Sequence, residues 1–130
     1  MSVSPNDLLQ LAKELYSRAT KEAEFRNVVG RAYYAAYHRA QAFHAALPSL
    51  GRVPPKPTGV HDELAFRLSW PTIPESDPLF EKSRELGRAL RWLHSQRVKA
   101  DYTIGGPFNS DEAREAIERS EDAITLASKR

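Results

Sequence analysis

Phe25-Arg26-Asn27-Val28-Val29-Gly30-Arg31-Ala32-Tyr33-Tyr34-Ala35-Ala36-Tyr37-His38 is the stretch on which the fold turns. Its apolar residues recur at intervals of three and four, the spacing of one face of an α-helix. The pattern predicts a helix from about Lys21 to Ala46, ended before Pro48. Its core face reads Phe25, Val29, Ala32, Ala36, Ala40, Phe43 and Leu47, with Tyr33 and Tyr37 beside it and Tyr34 nearly opposite. A helix apolar or aromatic around most of its circumference needs cover on more than one side. That cover comes either from other helices of a bundle or from a second subunit.

Toward the N-terminus, Ser4-Pro5-Asn6-Asp7 predicts a helix start. Ser4 suits the cap, Pro5 the first helical position, and Asp7 the acid of a capping box. Leu8, Leu11, Leu15 and Ala19 then form an apolar stripe, so a first helix is expected over Pro5 to Ala19. Beyond the central helix, residues 48–59 are rich in proline and glycine and read as a loop. A short helix is expected over Val60 to Leu68, and Pro71, Pro74 and Pro78 interrupt the chain again. A third main helix starts near Asp77, with Pro78 in its first turn, and runs to about Lys99. Gly105-Gly106-Pro107 reads as a turn, and a last helix is expected to be capped by Ser110. Its stripe is Ala113, Ala116, Ile117, Ala123, Ile124 and Ala127. The whole pattern predicts one domain over residues 1–130, an all-α, antiparallel up-and-down bundle of four to five helices.

Composition narrows the function classes. A chain of 130 residues with 41% hydrophobic and 28% charged residues is ordinary for a globular domain. The net charge of +2 is a weak pull toward nucleic acid. There is no cysteine, so disulfides and thiolate metal sites are excluded. No secretory leader and no membrane-spanning run is visible, and a cytoplasmic protein is expected.

Three surfaces carry candidate chemistry. On the central helix, Arg31 and His38 lie within ~20° of each other and ~10 Å apart along the axis, with Tyr34 between them. Their heads are too far apart to bond directly but can reach one extended ligand. Arg31 then binds phosphate and His38 acts as acid or base; alternatively both are satisfied structurally. On the later helix the stripe Leu79, Leu86, Leu90, Leu93 leads in register to Arg97, with Asp101 four and Tyr102 five residues on. This is either a local ion pair closing the helix or an active-site arginine beside a tyrosine hydroxyl. Thirdly, Arg84, Arg88 and Arg91 form a row suited to phosphate contacts or, more simply, a solvated face. His38, His44, His61 and His94 lack the HxxxH spacing of a helical metal site, and no nucleophile elbow or phosphate loop is present, so no metal or cofactor is expected.

The segment 25–38, followed by His61 and by Arg97-Val98-Lys99-Ala100-Asp101-Tyr102, resembles the motifs of small prokaryotic HEPN-domain proteins in order and spacing. The resemblance implies a helical bundle that pairs as a homodimer, with Tyr33, Tyr34 and Tyr37 as dimer surface. It also implies action on RNA or nucleotides, as a metal-independent endoribonuclease of toxin–antitoxin or defence type. The alternative it implies is a non-catalytic module partnering a nucleotidyltransferase antitoxin. The site residues carried over are Arg31, His38, Arg97 and Tyr102. The family's active motif is an arginine, four to six intervening residues, then a histidine. Here the position five after Arg97 is Tyr102, and the only Arg-x6-His is Arg31 to His38.

Overall fold

The computed structural model describes residues 4–102 and 109–128, the side chain of Tyr102 excepted. Five helices follow in order: α1 (Pro5–Arg18), α2 (Glu22–Ala45), α3 (Val60–Ser69), α4 (Pro78–Tyr102) and α5 (Ser110–Ser128). The expected turn at Gly105-Gly106-Pro107 lies outside the described residues. Among the described residues no helix is long and apolar enough to cross a membrane.

The helix starts follow capping chemistry. Ser4 Oγ accepts from the Asp7 N–H at 3.1 Å while the Ser4 N–H donates to the Asp7 carboxylate at 3.0 Å, closing the capping box. Ahead of α2, Glu24 accepts from the N–H groups of Thr20 and Lys21, which hold its carboxyl below the ordinary range. The cap of α5 is Asn109, not the expected Ser110. Asn109 Oδ1 accepts from the N–H groups of Asp111 and Glu112, leaving Ser110 as the first helical residue.

α2 is the centre of the bundle, packed against α1, α4 and α5, while α3 lies mainly on α4. The most extensive contact is between α2 and α5. Small residues make it close: Ala32, Ala36 and Ala40 on α2, and Ala113, Ala116 and Ser120 on α5, are all fully buried. Ser120 Oγ donates to the Ala32 carbonyl at 2.7 Å, so its burial leaves no orphaned hydroxyl. The α4 stripe holds, with Leu86, Leu90 and Leu93 buried, each worth about 1.5–3 kcal/mol of transfer free energy. The α1 stripe is rotated from the one expected. Leu9 and Ala12 are its buried centre, and Leu8, Leu15 and Tyr16 pack beside them.

The loop after α2 is tied down at Gly51. Its N–H donates to buried His44 Nε2 at 3.0 Å, and its carbonyl accepts from Arg67 Nε at 3.0 Å. The backbone here passes so close to α3 that a Cβ on Gly51 would lie 1.8 Å from the Arg67 carbonyl oxygen. Gly30, inside α2, has open space where a Cβ would stand. Gly51→Ala is therefore expected to destabilise by about 1–3 kcal/mol through overpacking. Gly30→Ala should stabilise by about 0.5–1 kcal/mol, from helix propensity alone. Urea unfolding of the two variants, expected to shift the midpoint in opposite directions, checks both.

Candidate functional site

Where α2, α3 and α4 meet, the bundle gathers aromatic and imidazole rings around one arginine. Tyr33 is only 1% exposed, so its hydroxyl must find a partner inside the protein. It finds His61 Nδ1 at 2.6 Å. Burial pushes the Tyr33 phenol far above its ordinary ionisation range, and burial followed by the charge of His94 pushes His61 down. A phenol that keeps its proton donates O–H to Nδ1, which leaves the ring proton of neutral His61 on Nε2.

His61 stacks on His94, with ring centroids 5.5 Å apart and planes within 15°. His94 Nδ1 in turn lies 3.7 Å from the Asp62 carboxylate. Tyr37 packs on His61 at 4.6 Å, and Tyr34 stacks on His38 at 6.3 Å. Three imidazoles from three helices therefore share one cluster.

Arg97 joins them from α4. Its guanidinium carbon stands 5.1 Å from the Tyr34 ring centre and 6.0 Å from that of Tyr33, and its Nε lies 3.4 Å from Asp101. Arg97 is thus ion-paired locally and also faces the cluster. Arg26 fixes the end of α4 in place. It donates to the carbonyls of Lys99 and Ala100 at 3.0 and 2.9 Å, where the last turn carries negative dipole charge. Between α2 and this end of α4 lies a cavity of about 260 Å³, lined among others by Arg31, Tyr34, Arg97 and Asp101.

The structure brings together Arg31, Tyr34, His38 and Arg97, three of them expected site residues and one expected at a dimer surface. Arg31 and His38 flank Tyr34 on the exposed side of α2. Tyr102 ends α4, and its side chain lies outside the described residues. Tyr33 and Tyr37 are 1% and 9% exposed, enclosed by their own subunit, and only Tyr34, at 36%, remains open to a second chain. His61 is in the first turn of α3, where the short helix expected from Val60 places it. Arg84, Arg88 and Arg91 do not join the cluster; they line a separate groove on the first half of α4.

His94 is the residue that motif reading missed. Arg97 and His94 are three apart on one helix, a spacing that could have paired them. His61 matches the family pattern but is not carried over as a site residue, because its contact with His94 is made between helices. Among the described residues, no three or more His, Cys, Asp or Glu side chains are grouped to hold a metal ion.

The chain is thus an all-α bundle centred on a tyrosine-rich helix, with an arginine and histidines converging beside it. Residues 6–130 match the HEPN domain family, and the chain belongs to it. No curated protein matches the chain, and neither does any solved structure.

The pH behaviour follows from the two depressed histidines. His44 is lowered by burial and then by Arg67, and His61 by burial and then by His94. Each binds its proton more weakly in the folded chain than in the unfolded one. Their stability contribution is complete above the ordinary value of 6.5 and is lost as pH falls from there toward the lowered folded values. The melting temperature should therefore drop between pH 7.5 and pH 5, at constant ionic strength, in calorimetry. His61→Gln with His44→Gln should flatten that slope, and an unchanged slope would refute the assignment.

Proposed function

We propose that the protein is a HEPN-type endoribonuclease that cleaves RNA with its own side chains, acting as a homodimer in a cytoplasmic toxin–antitoxin or defence system. The observation that carries this reading is the placing of Arg97 against Tyr34, within the ring cluster that holds His61 and His94 and reaches His38.

The roles follow from the neighbours of each group. His94 Nδ1 faces the Asp62 carboxylate at 3.7 Å, which leaves Nε2 as the ring nitrogen available to a ligand. As general base, Nε2 takes the proton of a ribose 2′-OH, and the 2′ oxygen bonds to the adjacent phosphorus. The bond from phosphorus to the 5′ oxygen breaks, and His38, in its imidazolium form, returns a proton to that leaving oxygen. The products are a 2′,3′-cyclic phosphate and a 5′-hydroxyl. Arg97 offers a planar, permanently charged fork to the non-bridging oxygens, where negative charge builds up in the transition state. Arg31 holds the next phosphate at the mouth of the shared cavity. His61, anchored by Tyr33, is a positioning residue: it fixes the plane on which His94 stacks.

A second reading is favoured by one feature, the tyrosine five residues after Arg97 where the family's nuclease motif has histidine. There the protein is a non-catalytic module that binds nucleotide and pairs with a nucleotidyltransferase antitoxin.

The two separate in one assay. Purified protein with EDTA should cut single-stranded RNA to cyclic-phosphate ends, and His94→Ala or Arg97→Ala should each lower the rate by about 10²-fold or more. RNA left intact by folded wild-type protein would favour the binding module. For the dimer, Tyr34→Asp should halve the mass seen by light scattering, because it sets a charge on the open aromatic of α2. An unchanged mass would place the interface elsewhere.

A further inference from the structure

A second groove lies away from the cluster, between the segment after α3 and the first half of α4. It has a volume of about 880 Å³, and its walls include Trp70, Phe80, Arg84, Arg88 and Arg91. Trp70 is 52% exposed, which leaves a large aromatic face in water with Arg52 5.8 Å from its centre. Two acids, Glu75 and Glu81, also line the groove. Glu81 is engaged with Arg84 at 3.0 Å, whereas no ion pair to Arg88 or Arg91 occurs among the described residues.

Shared lining residues lead from the groove toward the histidine cluster. Arg91 is also part of a second cavity of about 480 Å³, with Pro54, Pro55, Lys56, Phe66 and Asp62 on its wall. Asp62 is the carboxylate that faces His94. On α4 itself, Arg88, Arg91, His94 and Arg97 follow one another at intervals of three. Such a row turns by about −60° at each step, so it winds from the groove side of α4 to the side facing α2.

We infer that this groove is a subsite for single-stranded RNA, with a base stacked on Trp70 and consecutive phosphates on Arg84, Arg88 and Arg91. It rests on the RNA-directed reading above and adds the kind of strand and its path. An exposed aromatic beside a row of arginines suits an unpaired strand, because stacking needs a free base face and the arginines need phosphates in sequence. From Arg84 to Arg97 the helix rises ~20 Å, enough for a few nucleotides between the platform and the cluster.

The test uses a fluorescein-labelled 12-nucleotide RNA with 2′-O-methyl riboses, which cannot be cleaved, followed by fluorescence anisotropy on the full chain. Trp70→Ala should weaken binding about 5- to 150-fold, with Trp70→Phe recovering most of the loss. The double variant Arg88→Ala/Arg91→Ala should reduce the slope of log affinity against log salt by about 1.4, two phosphate contacts' worth for a single strand. Circular dichroism confirms that each variant is folded. Affinities unmoved by these substitutions, or polyglutamate bound as tightly as RNA, would overturn the inference. Cleavage is read separately on a dinucleotide too short to reach Trp70. Groove variants that spare dinucleotide cleavage but slow that of the long strand support the subsite. Binding that depends on the groove without any cleavage supports it too, while removing the nuclease reading.

Discussion

The central helix must be covered on three sides, and this constraint arranges everything else. Ala32, Ala35, Ala36 and Ala40 contribute little area each, so α2 gains from burial only when its neighbours come close. α5 meets it with its own small residues and a serine whose hydroxyl is satisfied on α2's backbone. α1 and α4 close two more sides. What remains open is a narrow strip bearing Arg31, Tyr34, His38 and Gln41. The polar residues of α2 that could do chemistry are confined to that strip because the rest of the helix is core.

The same packing turns Tyr33 from a surface residue into a strut. Once its ring is enclosed, the hydroxyl costs about 1–3 kcal/mol if left without a partner, and His61 supplies one. The bond fixes the orientation of α3's first turn, which has no side-chain cap of its own and begins at Gly59 with φ 99°. His61 then orders His94 by stacking, and His94 sits one turn from Arg97 on α4. Core formation and site geometry are therefore one event. A substitution that loosens Tyr33 should disturb imidazoles on two other helices.

Much of this was legible in the residues. Capping residues, prolines and three- and four-residue apolar spacing locate all five helices, since each depends on neighbours within a turn. The resemblance to the family is legible for the same reason, since the residues that suggest it fall mostly within one helix and one short element. Side-chain facing was harder. The spacing sets Tyr33 and Tyr37 only beside the core face, and the bundle alone shows that α3 and α4 close over them. Asn109 and Ser110 are both good caps, and backbone geometry alone selects between them. The meeting of His61 with His94 is a contact between helices, for which a single sequence has no local signature.

Electrostatics decides how such a surface can grip a polyanion while the fold stays intact. Arg26 is held by backbone carbonyls at the end of α4, half-buried, and has no freedom to serve a ligand. Arg97 is held more loosely, by one carboxylate at 3.4 Å and two ring faces. Arg84 is held by an exposed pair three residues away, of a kind worth about 0–1 kcal/mol and weakened by salt, and by one ring face, that of Phe80 at 5.9 Å. A phosphate that accepts two charge-assisted hydrogen bonds from a guanidinium competes easily with such a pair. The arginines of α4 thus run from weakly tethered near Trp70 to firmly oriented at the histidines. Loose arginines can follow a mobile strand, whereas chemistry at one phosphorus needs a guanidinium already in place. That gradient argues for capture at the groove and reaction at the cluster, in that order along one helix.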